Sequence, residues 1–266
     1  IIQNEVGESS WFGFSLILKN KLENNRDKLI EILIQNYIET RHIVAGNFTT
    51  NPVIKYLEHE ISGSLKNADY LDKNGFFVEL GANDGIKQSN TYYFEKNFNW
   101  NGLLIEPIKS KYLKCLKFRS KKNFFYNNAC VGFNYKNKKI KMIYSDLMSS
   151  IDDKTINSKI DAKKHALQGK KYLVKNDKIK EVLVETKTLN QILNEIDSPK
   201  IIDFLSLDVE GAELEVLNGI NFLNYNFKFI LIESRDDQEI IKYLKNFDYT
   251  FLEKISKRDL FFKHNK

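Results

Sequence analysis

Seven short apolar runs punctuate the chain after residue 75, and helical patterns separate several of them. The runs are Phe76–Leu80, Gly102–Ile105, Asn123–Val131, Lys139–Ile143, Val182–Thr186, Ile201–Leu207 and Phe229–Ile232. Asn90–Phe98, Ser110–Phe118, Leu189–Ile196 and Ala212–Leu217 carry apolar residues at helical spacing. Strand and helix in turn predict an α/β fold, with a mostly parallel sheet flanked by helices on both faces. Such a sheet binds ligands in the crevice at the carboxyl ends of its strands.

Four of these runs deliver a carboxylate to that edge: Glu79, Glu106, Asp208 and Glu233. Chance would scatter acids to both ends of the sheet. The first run continues into Gly81-Ala82-Asn83-Asp84-Gly85, where glycines let the backbone turn tightly and approach a ligand. The G-x-x-x-G spacing is not the dinucleotide fingerprint, and no Lys-Ser/Thr follows it to make a P-loop. Glu106 follows about twenty residues later, where a strand-tip acid accepts hydrogen bonds from ribose hydroxyls. Pro107 then ends the strand without needing a backbone donor. A ligand with hydroxyls and positive charge suits this edge, and S-adenosylmethionine has a ribose, an ammonium group and a sulfonium.

Composition narrows the alternatives. With 42% hydrophobic residues and only 3 Pro among 266, the chain is neither disordered nor collagenous. Cys115 and Cys130 lack metal-ligand spacing and suit a reducing compartment. No apolar run reaches membrane-spanning length, and Ile1-Ile2-Gln3-Asn4-Glu5 does not open a signal peptide, so the expectation is a cytoplasmic protein. The net charge of +6 is diffuse lysine, which argues against nucleic-acid binding. The basic stretch Lys109–Lys122 reads as the wet face of an amphipathic helix.

Residues 76 to about 262 resemble the FkbM-type S-adenosylmethionine-dependent methyltransferases. The resemblance rests on Val78–Gly85, Ser89-Asn90-Thr91, Trp100–Pro107, Asn128–Gly132, Met148-Ser149-Ser150, Leu207–Glu213 and Ile230–Glu233, in that order. It implies a Rossmann-like methyltransferase fold and O-methylation of sugars or other small molecules. By the same resemblance Glu79, Gly81, Asn83 and Gly85, with Asp84 in the turn, hold the methionine part of the cofactor. Ser89 and Asn90 line its end, Glu106 holds the ribose, and Asn128, Ala129 and Cys130 border the adenine. Asp208 faces the reacting centre.

The first 75 residues read differently. An apolar run, Trp11–Leu18, precedes a helical pattern through Leu22, Leu29, Ile30, Leu33 and Ile34, then a loop and a second short helix. This small α+β appendage is too little to close a core alone. Glu8–Phe14, Ile38–Arg41, Val44–Phe48, Asn67–Tyr70 and Asn74–Phe77 resemble the C-terminal small domain of DegT-type sugar aminotransferases and dehydratases. That family's Schiff-base lysine belongs to a part not represented here, so no transaminase activity is implied. The division is therefore 1–75 and 76–266, a join of two pieces from surface-polysaccharide (capsule or lipopolysaccharide) biosynthesis.

A sugar hydroxyl needs a base or a metal before it attacks a methyl group. Asp208 is the first candidate, with Glu210 and Glu233 next. Asp208 and Glu233 are also candidates to share one Mg²⁺. Glu213 reads as a cap of the following helix or a pair within it. The lysine-rich stretch from Ser145 to Lys180 reads either as a surface insertion or as a lid, and His165 within it either as an alternative base that swings over the acceptor or, in the preferred reading, as a lone exposed histidine. The acceptor expected is a sugar, nucleotide-sugar or glycan, and an oligomer is compatible with the sequence. Besides the O-methyltransferase, two classes stay open: a non-catalytic binding fusion, and a remnant of a nucleotide-sugar aminotransferase.

Overall fold

The computed structural model describes residues 75–156, 158–174 and 177–265, together with Leu29, Ile32, Leu33, Gln35 and Asn36. Leu29 and Leu33 are helical, as their spacing predicts. The other expectations for the first 74 residues, the α+β appendage included, lie outside the described residues.

The chain runs through β1 (Phe76–Leu80), α1 (Tyr92–Phe98), β2 (Asn101–Ile105), α2 (Lys109–Phe118), β3 (Phe124–Tyr126) and β4 (Ala129–Cys130). It continues with β5 (Lys139–Tyr144), the 3-10 turn Asp146–Met148, β6 (Ser150–Ile151), α3 (Ala162–Gly169), β7 (Lys180–Lys187) and α4 (Leu189–Glu195). It closes with β8 (Ile201–Leu207), α5 (Glu213–Leu217), β9 (Asn226–Glu233), α6 (Asp237–Lys245), β10 (Tyr249–Lys254) and β11 (Asp259–His264).

The main sheet has the order β10-β11-β9-β8-β1-β2-β3. Strands β3, β2, β1, β8 and β9 are parallel, and β11 runs antiparallel to both β9 and β10. This is the Rossmann-like α/β sheet that the alternation predicts. From β1 the chain steps outward to β2 and β3, then returns to the other side of β1 at β8. The order therefore reverses between β1 and β8, and a crevice opens at the carboxyl ends of that pair.

Side chains alternate across each strand, so the sheet has two apolar faces. Val78, Leu80, Leu103, Ile105, Leu205, Leu207, Ile230 and Ile232 face one side and pack on α4, α5 and α6. Phe77, Leu104 and Phe204 face the other and pack with Phe94 of α1 and Cys115 of α2. The result is three layers, helix–sheet–helix.

A second sheet, β4-β7-β5-β6, was not foreseen in the alternation. It has its own small core of Ala129, Val131, Ile140, Met142, Ile151 and Val184. It stands beside the carboxyl edge of the main sheet and gives the crevice a wall. Among the described residues no helix is long and apolar enough to cross a membrane.

Candidate active site

The turn after β1 sets the crevice. The N–H groups of Gly81 and Ala82 donate to the Ile105 carbonyl at 3.1 and 3.2 Å, and that of Asp208 donates to the Leu80 carbonyl at 3.2 Å. Gly81 has φ +77°, and a Cβ there would lie 1.8 Å from the Asp208 carbonyl oxygen. Only glycine allows the tips of β1 and β8 to meet this closely.

A pocket of about 260 Å³ opens over these tips. Gly81, Asn83, Glu106, Asn128, Ala129, Cys130, Asp208, Glu210 and Glu233 all border it, so nine of the residues singled out in the sequence converge on one space. Met142 and Ile151 of the second sheet form part of its apolar wall. Four non-glycine residues with positive φ also border it: Asn83 (49°), Gln88 (60°), Asp146 (53°) and Glu210 (52°). Strained backbone of this kind clusters where side chains must be aimed.

Glu106 is buried, and both of its oxygens are fixed by backbone. The Asn83 N–H donates to Oε2 at 2.8 Å and the Ile108 N–H to Oε1 at 2.7 Å. Burial nevertheless pushes its pKa up to about 7, against the lowering effect of those two N–H groups and of Lys111. Each carboxylate oxygen can accept a second hydrogen bond, so the pair can still receive two hydroxyls. These residues fit an adenosyl group: an oriented diol acceptor, an apolar wall and a tight glycine turn. The same pocket also holds a polar pair that sequence reasoning missed, Lys111 of α2 with Asp146, both nearly buried.

Five expected cofactor residues do not border the pocket. Glu79 turns to the opposite face of the sheet, beneath Arg119. Its carboxylate accepts from Ser89 Oγ at 2.9 Å, the Asn90 N–H at 2.9 Å, Thr91 Oγ1 at 2.6 Å and Arg119 Nη1 at 3.3 Å. Ser89 is thereby committed to Glu79, and Asn90 donates its amide to Ser206 Oγ at 3.0 Å. Asp84 accepts from the Ile86 and Lys87 N–H groups in a local turn. Gly85, at φ +80°, packs on Arg119 and accepts from it. These residues hold the cofactor turn in shape and do not face the pocket.

The stretch Lys109–Lys122 does present an exposed face, with Lys109, Lys114, Lys117, Lys121 and Lys122 on it, but Lys111 and Arg119 depart from that reading. Lys111, Cys115 and Arg119 recur every four residues and turn inward together. Arg119 also pairs with Glu95 at 2.7 Å and stacks over the Phe77 ring at 5.3 Å. The i, i+4, i+8 spacing around a buried cysteine is the signal that could have found them.

The acidic end of the pocket holds Asp208, Glu210 and Glu233. Asp208 Oδ1 is shut off from solvent with no hydrogen-bond partner in the protein. Burial, then the charges of Glu233 and Glu210, raises the Asp208 pKa well above the usual carboxylate range. Burial and Glu210 likewise raise that of Glu233. Glu213 lies outside the pocket and reaches back to accept from the Gly211 N–H at 2.8 Å, in the turn before its helix, where the sequence suggests a cap or a pair within the helix.

His165 is not exposed. It is buried on α3, and its Nε2 lies 2.8 Å from Glu210 Oε2. Burial lowers its pKa, with Glu210 opposing, so the imidazole is held neutral. The stretch after Ser145 is thus an integral wall, since Asp146 to Ser149, Ile151 and Tyr172 also border the pocket. The Mg²⁺ expectation gains no support. Among the described residues no group of three or more His, Cys, Asp or Glu is arranged to hold a metal. The carboxylates face the protein's own cations instead: Arg235 Nη2 is 2.9 Å from Glu210 and Arg258 Nη1 is 3.3 Å from Glu233.

This parallel sheet, with its crevice at the strand tips, defines an α/β enzyme of the Rossmann-like class. The chain belongs to the methyltransferase FkbM domain family, whose model matches residues 79–251. Its N-terminal region is similar to other proteins. A GDP-4-keto-6-deoxy-D-mannose 3-dehydratase of Yersinia pseudotuberculosis is 50% identical over 78 residues, 29% of this chain and 20% of that protein. A lipopolysaccharide biosynthesis protein RfbH of Salmonella typhimurium is 31% identical over 101 residues, 36% of this chain and 23% of that one. The chain therefore spans about a fifth of the length of these curated relatives. Among solved structures, a SAM-dependent methyltransferase of Aquifex aeolicus aligns over 74% of this chain and 86% of that one, at 8% identity and a TM-score of 0.34.

Proposed function

We propose that this methyltransferase transfers a methyl group from S-adenosylmethionine to a sugar hydroxyl during surface-polysaccharide biosynthesis. The observation that carries the reading is the convergence of Glu106, oriented by two backbone N–H groups, with Asp208 in one pocket. The match of the N-terminal region to a sugar dehydratase and a lipopolysaccharide biosynthesis protein supports a sugar acceptor. We take residues 1–75 and 76–266 as two pieces, with the chemistry in the second.

When bound, S-adenosylmethionine supplies an electrophilic methyl group on a sulfonium. Glu106 accepts the ribose hydroxyls. Gly81 and Asn83 form the turn against the methionine part, and Asn128, Ala129 and Cys130 border the adenine. Asp208 takes the proton from the acceptor hydroxyl. Asp208 borders the pocket where that hydroxyl would sit, and its raised proton affinity, in the ionised form, is the property a general base needs. Glu210, held by His165 and Arg235, and Glu233, held by Arg258, set the field around that proton.

The test is methyl transfer from labelled donor to a panel of free, nucleotide-linked and oligomeric sugars. Asp208→Asn should leave donor affinity within about twofold and cut turnover at least ~100-fold, the scale of general-base catalysis. Wild-type turnover in that variant removes the assignment of the base. Methylation of a nitrogen or carbon acceptor in preference to every sugar removes the proposed substrate class.

A further inference from the structure

Arg235 and Arg258 border two spaces at once. One is the pocket described above, at its acidic end. The other is an open groove just outside it, which they line with Asp236, Asp237, Lys254 and Lys257. The groove's position is fixed by the tip of the β10–β11 hairpin. The Ser234 N–H donates to the Arg258 carbonyl at 2.9 Å, tying that tip to the end of β9. Within the tip, Ser256 Oγ accepts from the Arg258 and Asp259 N–H groups, both at 3.2 Å.

The charges in the groove are unevenly matched. Asp236 caps α6 by accepting from the Glu239 N–H at 3.1 Å and lies 3.5 Å from Lys159. Asp237 pairs with Lys254. Asp237 thus has its own lysine, while Asp236 shares Lys159 with Glu239, which lies nearer at 2.7 Å. Lys257 is exposed and makes no ion pair among the described residues. Arg235 and Arg258 each pair through a single guanidinium nitrogen, on the pocket side, with Glu210 and Glu233. A guanidinium has five N–H donors in a fork that matches phosphate oxygens, so most of each fork remains for a ligand. A neutral glycan would leave Lys257, and the open donors of both guanidinium forks, without a counterpart.

We propose that the groove seats a phosphate-bearing portion of the acceptor, of the diphosphate class carried by an activated sugar. The sugar itself reaches between Arg235 and Arg258 toward Asp208. This rests on the acceptor reading above and narrows it to an anionic, phosphate-linked sugar.

The test is calorimetric titration of the full chain with inorganic pyrophosphate and with nucleoside diphosphates, in the presence of S-adenosylhomocysteine. Saturable binding is expected, about fivefold to tenfold weaker in Lys257→Ala and in Arg258→Ala, and weaker at high salt. Lys257 is exposed, so its removal leaves the fold intact, and an unchanged melting temperature checks this. Equal affinity for pyrophosphate and nucleoside diphosphates assigns the groove to phosphate alone. Tighter nucleoside diphosphate binding adds the nucleoside to what it recognises. Absence of saturable anion binding, or binding unaffected by both substitutions, overturns the proposal. S-adenosylhomocysteine titrated alone reports separately on the methyl-donor reading, so failure of one is distinguishable from failure of the other.

Discussion

His165 Nε2 lies 2.8 Å from Glu210 Oε2, which joins the helix inserted after Ser145 to the loop at the tip of β8. The loop needs such a hold. Glu210 sits at φ +52°, a conformation that costs a non-glycine residue of order 1–3 kcal/mol, and Arg235 grips the same oxygen from the other side at 2.9 Å. We regard His165 as a positioning residue that keeps Glu210 beside Asp208.

Replacing it by alanine should therefore separate binding from turnover. We expect His165→Ala to lower kcat about tenfold while the Kd for S-adenosylhomocysteine stays within about twofold. His165→Gln, whose amide nitrogen can occupy the same place beside Glu210, should recover part of the loss. Steady-state kinetics beside calorimetry checks this, and equal losses in both variants would point to a packing role alone. Because burial lowers the imidazole pKa, the stability this neutral group contributes is present above its unfolded value near ~6.5 and lost as pH falls through the lower folded value.

The proposed ribose role of Glu106 predicts that donor binding depends on pH. Ribose hydroxyls donate to an ionised carboxylate, and burial places its pKa near about 7. Ionisation is thus required for the stronger hydrogen bonds, and affinity rises with pH. We expect S-adenosylhomocysteine to bind about tenfold more tightly at pH 8 than at pH 6, with the dependence flattened in Glu106→Gln. A flat profile in the wild type would contradict the ribose role.

Arg119 serves two buried carboxylates, Glu79 and Glu95, from the far side of the sheet. Removing it leaves both without a counter-charge. Arg119→Met should cost about 3–5 kcal/mol and lower the melting temperature by about 10 °C. Adding Glu79→Gln to that variant should restore part of the loss. Additive damage in a thermal-denaturation cycle would mean that the pair is not coupled.

Glu213 offers a pH test of stability away from the pocket. Its folded pKa is raised to about 7 by burial, against 4.5 unperturbed. A raised carboxyl stabilises the fold fully below the unfolded value and loses that contribution as pH rises toward about 7. In Glu213→Gln the new amide oxygen would still accept from the Gly211 N–H. The variant should match the wild type at pH 4.5 and exceed it by about 3 kcal/mol at pH 8, as measured by urea unfolding at the two pH values.

The sheet was legible because buried parallel strands are mostly apolar: β1 and β8 follow the expected runs residue for residue. Strand-tip acids were legible because a strand's end fixes where its next residue emerges. Glu79 shows the limit of that logic. It lies one residue short of the tip of β1, and side-chain alternation sends it to the Arg119 face. His165 was noticed but its burial beside Glu210 was not, since Glu210 is distant in the chain and no local pattern records a contact that only the tertiary fold creates. The second sheet was equally hidden: β5 and β7 read as ordinary apolar runs, and antiparallel pairing across Ser145–Lys180 leaves no short-range mark. Lys111 and Arg119 were the recoverable misses, since their spacing with Cys115 lies in the sequence.

The central claim is that an adenosyl donor occupies the pocket at the β1–β2–β8 tips. A crystal structure with S-adenosylhomocysteine tests it most directly. The account predicts both ribose hydroxyls within hydrogen-bond distance of Glu106, the adenine against Ala129 and Cys130, and the sulfur turned toward Asp208. A ligand bound elsewhere, or one that leaves Glu106 without a contact, would contradict it.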